Sequence, residues 1–182
     1  GCVANAHAQS SKSIILEEAG NEKQALSSKI YITSDPRGEH SAQDIVQRFK
    51  NNIRGVPNNE NYIRFPMHVE PYWAAVQIDN KTKDTQWVLD FGTIHDGRSG
   101  MLSKLLVYEG KTRKIFFDGL GSSFDKDTGG VTSSIPLTLK ANESSILVFY
   151  IVPDDYYPLT LYPSITKILF GFKKIYKSII LK

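Results

Sequence analysis

Side chains that could carry out chemistry are few and widely spaced in this sequence. The four histidines are His7, His40, His68 and His95, and none is spaced with a second ligand as in a zinc site. No Gly-x-Ser-x-Gly motif presents a nucleophilic serine. Residues 119–123 are rich in glycine. They are not followed directly by the lysine and the helix of a phosphate-binding loop, so we do not expect them to bind phosphate. We therefore expect a protein that is not an enzyme and has no organic cofactor.

A calcium site is the one metal site that the sequence offers. Asp125, Asp127 and Gly129 have the carboxylate-x-carboxylate-x-glycine spacing with which a calcium loop begins. Calcium needs further oxygen ligands, however, and no glutamate follows at the required distance. Lys126 also adds an unfavourable positive charge between the two carboxylates. The sequence thus favours a solvated hairpin tip here and leaves calcium at Asp125 and Asp127 as the alternative.

Aromatic side chains with polar neighbours are the other candidates for binding. Axial C–H groups of a sugar pack on an aromatic ring, while its hydroxyls find polar partners. Trp87 shares a strand face with Leu89 and Phe91 and is expected in the core, whereas Trp73 shares its face with the less apolar Ala75 and Gln77. The alternative is that all these rings fill a core. The candidate ligand-binding residues are Trp73, Arg64, Tyr108, Tyr156 and Tyr157.

The elements that must position these residues are mostly strands. Runs typical of strands occur at residues 13–17, 29–33, 62–65, 72–78, 86–91, 102–109, 112–117, 134–139, 145–152 and 159–162. Ser41 as N-cap and Asp44 at the third helical position predict one short helix, with Ile45, Val46 and Phe49 facing inward. Many short strands and a single helix between the two ends of the chain predict a mainly β fold, a β-sandwich.

The two ends of the chain point to export and to a membrane. Ala6-His7-Ala8 before Gln9 is the small-x-small pattern that a signal peptidase cuts, so residues 1–10 are interpreted as a signal-peptide remnant. A flexible alanine-rich terminus or a lipid-anchored Cys2 are the alternatives. Residues 11–163 would then form the sandwich domain, outside the cytoplasm.

Residues 164–182 carry five lysines and no acidic residue, and their apolar residues recur every three or four positions. This pattern predicts a basic amphipathic helix at a membrane surface. A helix packed on its own domain and the lead-in to a transmembrane helix are the alternatives. The net charge of +3 is too small to indicate a nucleic-acid partner, and no run of eighteen apolar residues could span a bilayer.

Several segments together resemble one family of extracellular domains. They are residues 31–38 (YITSDPRG) ahead of a short helix ending at Phe49, and residues 71–76 (PYWAAV), 87–92 (WVLDFG), 105–110 (LLVYEG), 135–139 (IPLTL) and 158–162 (PLTLY). Their order is similar to that of the second type of extracellular domain of bacterial seven-transmembrane receptors with diverse intracellular signalling modules. The resemblance implies a jelly-roll sandwich similar to carbohydrate-binding modules, exported and anchored to the inner membrane.

Two functions follow as hypotheses. The first is a periplasmic domain that senses a small molecule, for which a saccharide is one candidate, and signals through the C-terminal segment to the membrane. The second is a protein-interaction or dimerisation module of an exported envelope protein, which would act as a homodimer or with another partner.

Overall fold

The structure is a computed structural model and describes residues 13–19, 23–53, 55, 61–65, 70–91, 102–120, 134–153 and 159–168. Four of the predicted site residues (Asp125, Asp127, Tyr156 and Tyr157) lie outside these ranges, as do residues 1–10 and 169–182. The strands are β1 (Ser13–Leu16), β2 (Gln24–Ala25), β3 (Tyr31–Ser34), β4 (Ile63–Phe65), β5 (Tyr72–Asn80), β6 (Gln86–Asp90), β7 (Leu102–Glu109), β8 (Ile115–Leu120), β9 (Ser134–Thr138), β10 (Ser144–Pro153), β11 (Leu159–Leu161) and β12 (Ser164–Lys167). Helix α1 spans Ala42–Lys50, and a 3₁₀ helix spans Ser27–Lys29.

The strands form two sheets and a ribbon. The larger sheet has the order β1-β5-β10-β7-β8. Strand β3 shares one edge of β5 with β1: β3 runs antiparallel beside residues 72–75, and β1 runs parallel beside residues 77–80. The smaller sheet has the order β2-β12-β6-β9, and β4 pairs with β11 as a ribbon. The predicted mainly β fold is confirmed and is consistent with a β-sandwich, whereas the jelly-roll topology stays a prediction.

The main core lies on one face of each sheet. Trp87, Leu89 and Phe91 are buried, as their alternation in the sequence predicts, and Val88 and Asp90 between them are only half-buried. From the larger sheet, β10 contributes Leu147, Phe149 and Ile151 to the same cluster. The rings of Phe91 and Phe149 meet edge to face, with centroids 5.6 Å apart. Because side chains alternate along a strand, the residues of β5, β7 and β10 that lie between these core residues point to the opposite face of the larger sheet.

Helix α1 is closed at both ends by local hydrogen bonds. The Ser41 hydroxyl accepts from the Asp44 N–H (3.2 Å), and the Asp44 carboxylate accepts from the Ser41 N–H (2.8 Å), which is the predicted capping box. At the other end the Ile53 N–H donates to the Arg48 carbonyl and the Asn52 N–H to the Phe49 carbonyl. Asn52 has a φ of 56°, so the helix ends in a Schellman motif with asparagine in the left-handed position.

The C-terminal part of the described chain departs from the prediction. Residues 164–167 form strand β12, which lies between β2 and β6, and Ile165 is buried there. The helical stripe that was predicted to begin at Ser164 is therefore wrong for these residues. Ile165 and Ile168 are spaced as on one face of a helix. The backbone of residues 164–167 instead pairs with the edge of β6, and such a pairing between segments distant in sequence cannot be read from local spacing.

Candidate functional site

The candidate site lies on the outer face of the larger sheet, beside α1. Side chains alternate along each strand, so Trp73, Tyr108 and Tyr150 point away from the main core. The helix covers part of this face with Ile45, Val46 and Phe49, which pack on Trp73, Ala75 and Val148. Burial of these three helix side chains explains why the helix lies here.

Three aromatic rings meet at this point on neighbouring strands. Trp73 of β5 is the cross-strand neighbour of Tyr150 of β10, and their ring centroids are 4.7 Å apart. Trp73 also stacks with Tyr108 of β7 at 6.4 Å and an interplanar angle of 25°. Both tyrosines and Leu106, the cross-strand neighbour of Tyr150, remain partly exposed. We call Trp73, Leu106, Tyr108 and Tyr150 the aromatic face.

Trp73 is more buried than the sequence predicts. It is only 7% exposed, because α1 lies over the sheet at this position. The less apolar neighbours Ala75 and Gln77 therefore do not mark an exposed position for the Trp73 ring itself. The ring instead supports the two tyrosines, and these present the accessible aromatic surface.

A buried carboxylate holds Trp73 in place. Asp35, which follows β3 and is 3% exposed, accepts a hydrogen bond from the Trp73 indole N–H at 3.0 Å. It also accepts from the backbone N–H groups of Glu39 (2.8 Å) and His40 (3.1 Å), just ahead of the N-cap of α1. One side chain therefore joins the start of the helix to the centre of the aromatic face.

The hydrogen bonds keep this carboxylate ionised. Burial by itself would raise the pKa of Asp35, but the bonds from Glu39, Trp73 and His40 outweigh burial and lower the pKa below its ordinary value of 3.8. A carboxylate with three donors is a strong and directional anchor for an indole.

The two tyrosines keep their protons. Burial raises the pKa of Tyr108 above its ordinary value of 10.0, and the negative charge of Asp118 raises it further. Burial and the negative charge of Asp35 raise the pKa of Tyr150 in the same way. Both phenols are therefore neutral at physiological pH and can donate as well as accept a hydrogen bond.

Charges of both signs border the aromatic face. The Lys104 ammonium lies 6.0 Å from the centre of the Tyr150 ring, in the range of a cation–π contact. The exposed Asp118 is the cross-strand neighbour of Leu106 on the other side. Sequence reasoning missed Asp35, Lys104, Leu106 and Tyr150 as site residues. The alternation of β10, in which Leu147, Phe149 and Ile151 are the core set, was the signal that separates Tyr150 from the core.

Arg64 is not part of this group. It lies on the exposed side of β4, with Thr160 of β11 as its cross-strand neighbour, in a ribbon separate from the larger sheet. Of the predicted ligand-binding residues inside the described ranges, Trp73 and Tyr108 come together and Arg64 does not join them.

The described residues also line two cavities to which the side chains of the aromatic face do not contribute. One of about 240 Å³ lies between Tyr31, Phe49 and Ile53, and one of about 390 Å³ lies between Leu16, Gln24 and Trp87. Among the described residues no three histidine, cysteine or carboxylate side chains are grouped to hold a metal ion. Within the same ranges, no helix has the length and apolar character needed to cross a membrane.

Comparison with known families agrees with the sequence resemblance. Residues 27–96 match the family described as 7TMR-DISM extracellular 2. The resemblance to this type of extracellular receptor domain is thus confirmed over β3, α1, β4, β5 and β6. The matched stretch includes Asp35, the helix and Trp73, whereas Tyr108 and Tyr150 lie beyond it. No match to a curated protein was found.

Proposed function

We propose that this chain is the ligand-sensing domain of a bacterial seven-transmembrane receptor, placed outside the inner membrane, and that the aromatic face binds its ligand. The observation that carries the proposal is the pair of partly exposed, neutral tyrosines on β7 and β10 above the anchored Trp73. The family match supports the extracellular receptor setting for residues 27–96.

The chemistry of the aromatic face suits a saccharide or another uncharged ring. Tyr108, Tyr150 and Leu106 offer apolar surface to axial C–H groups, and the phenols offer hydrogen bonds to hydroxyls. Lys104 and Asp118 carry opposite charges at the border, so the face does not favour a ligand with a strong net charge. Contacts of this kind bind without a chemical step, and we propose that the domain is not catalytic and needs no cofactor.

A route for signalling runs through α1. The helix packs on the same face as the ligand site and is linked to Trp73 through Asp35. A ligand that contacts both the tyrosines and the helix would favour one position of α1 over another. The free energy for a signal comes from the different affinities of those two arrangements.

Isothermal calorimetry with a panel of neutral mono- and disaccharides tests the proposal. We expect one or more of them to bind the wild-type chain and Tyr150→Ala to weaken that binding by about three- to tenfold, in keeping with the worth of an aromatic contact. Tyr162→Ala is the matched control, because Tyr162 is 43% exposed but follows β11, outside the larger sheet.

Two results would count against this function. No binding by any saccharide of the panel would remove the saccharide assignment. A concentration-dependent dimer in light scattering that Tyr150→Ala abolishes would show that the aromatic face is instead the contact of an interaction module.

A further inference from the structure

One end of the sandwich gathers three turns. The turn after β5 (residues 81–85) and the turn after β9 (residues 139–143) are hydrogen-bonded to each other, since the Asn142 N–H donates to the Thr82 carbonyl and the Leu139 N–H to the Thr85 carbonyl. The β7–β8 hairpin turn (residues 110–114) lies at the same end, because Glu109 is the cross-strand neighbour of Leu147 near the start of β10. We call these three turns the basic end.

Positive charge is in excess at the basic end. Six exposed cations lie in the three turns: Lys81, Lys83, Lys111, Arg113, Lys114 and Lys140. The exposed carboxylates described at this end are Glu17 and Glu18 after β1, and Glu143. Asp84 forms an ion pair with Lys167, and Glu109 accepts from the backbone of its own hairpin. The Asp84–Lys167 pair is neutral as a whole, whereas Glu109 keeps its negative charge, as does the half-buried Asp79 at the end of β5. The excess of positive charge is therefore small over the whole end and is concentrated in the β7–β8 hairpin, where Lys111, Arg113 and Lys114 outnumber Glu109.

The β7–β8 hairpin presents its cations on a fixed turn. The Glu109 carboxylate accepts from the Lys111 and Thr112 N–H groups and from the Thr112 hydroxyl (2.6 Å). Arg113 occupies the left-handed region at φ 60°. Directly after this turn comes Ile115, which is 53% exposed, the highest value among the exposed large apolar side chains of the described residues.

The last described residues of the chain, Lys167 and Ile168, lie at the same end. Lys167 is the cross-strand neighbour of Trp87, and the Ile168 N–H donates to the Gln86 carbonyl, next to the turn at 81–85. The sequence that follows, residues 169–182, contains Lys173, Lys174, Lys177 and Lys182 and no acidic residue. The described chain thus ends at the same end of the molecule as the three turns, and the sequence that follows it is basic.

We propose that the basic end docks on anionic phospholipid headgroups, with Ile115 entering the interfacial layer. Several cations near an anionic surface each add to binding, and an exposed apolar side chain among them gains by leaving water. The excess of lysine and arginine selects an anionic surface. Ile115 is the cross-strand neighbour of Tyr108, so the proposed lipid contact adjoins the aromatic face. The proposal rests on the charges of the three turns and on Ile115, and it does not depend on the proposed function.

Sedimentation with lipid vesicles tests the proposal on the whole 182-residue chain. The vesicles contain phosphatidylcholine alone or mixed with an equal part of phosphatidylglycerol. We expect binding to the mixed vesicles only, and we expect the variant Lys111→Gln, Arg113→Gln, Lys114→Gln to bind about tenfold more weakly or worse. The matched control is Lys23→Gln, Arg37→Gln, Lys50→Gln, which removes the same charge from exposed sites outside the basic end.

Fluorescence of an Ile115→Trp variant gives a second readout that does not depend on a loss of binding. The native Trp73 and Trp87 are only 7% and 3% exposed, so the introduced tryptophan is the one whose fluorescence responds to a change from solvent to lipid. We expect a blue shift with mixed vesicles and none with phosphatidylcholine. An equal loss of binding in the hairpin variant and the control, or emission that does not change while the protein is vesicle-bound, would overturn the proposal. Absence of binding to either vesicle would also overturn it and leave a protein as the partner of this surface.

Discussion

At the scale of single residues, the account depends on Asp35. Its carboxylate accepts from Trp73, Glu39 and His40, so it couples the ligand face to the entrance of α1. A buried carboxylate with three donors stabilises the fold only while it is ionised. The position of the indole should therefore depend on the charge of this one side chain.

We expect Asp35→Asn to lower the free energy of unfolding by about 1–3 kcal/mol, because an amide offers weaker acceptance to three donors and brings a donor of its own. Urea denaturation at neutral pH measures this value. Glu39→Gln is the control, since Glu39 is an exposed carboxylate in the same loop. An equal effect of both substitutions would contradict the role given to Asp35.

The same variant should change the acid sensitivity of the protein. The pKa of Asp35 is lowered in the folded state, so its contribution is fully present above the ordinary value of 3.8 and is lost as the pH falls through the lowered pKa. Asp79 and Glu109 also have lowered pKa values and add to the same slope. We therefore expect the acid slope of stability below pH 3.8 to become shallower in Asp35→Asn without disappearing; an unchanged slope would show that this carboxylate does not contribute.

At the scale of elements, α1 was predicted from the sequence more fully than the face that it covers. The capping box of Ser41 and Asp44 and the inward side chains of the helix are local patterns, and local patterns were sufficient. The burial of Trp73 was not predicted, because it depends on the packing of a helix that lies 23 to 31 positions earlier in the chain on that strand face. The strand at residues 164–167 was missed for the same reason, since its partner β6 is distant in sequence.

Removal of the N-cap hydroxyl tests whether α1 supports the ligand face. We expect Ser41→Ala to destabilise the protein by about 1 kcal/mol and to weaken ligand binding at the aromatic face, because the start of the helix adjoins the Asp35 anchor. Thermal unfolding and calorimetry measure the two effects. Thr138→Val is a control hydroxyl deletion at an exposed position of β9, in the smaller sheet. If binding falls equally in both variants, the helix start has no special part in the site.

At the scale of the whole molecule, β12 joins the C-terminal part of the chain to the sandwich. It lies between β2 and β6, Ile165 is 1% exposed, and Lys167 pairs with Asp84. The strand is thus an internal member of the smaller sheet, and the chain that continues from it starts at the basic end.

A pair of truncated chains tests this placement. A chain that ends at residue 163 loses a buried isoleucine and a central strand, and we expect it to be several kcal/mol less stable than a chain that ends at residue 168. Circular dichroism during urea unfolding gives both values. Equal stabilities of the two truncated chains would mean that β12 does not hold the smaller sheet together.

The most direct test of the central claim is a two-dimensional ¹H–¹⁵N NMR spectrum recorded while saccharides of the panel are added. The chain has two tryptophans, so its spectrum has two indole N–H signals, one from Trp73 under the aromatic face and one from Trp87 in the main core. We predict that the Trp73 indole signal and the backbone signals of Lys104, Tyr108 and Tyr150 shift with the ligand, while the Trp87 indole signal stays in place. Saturable shifts that leave Trp73, Tyr108 and Tyr150 unchanged and cluster elsewhere would contradict the claim that this face is the sensing site.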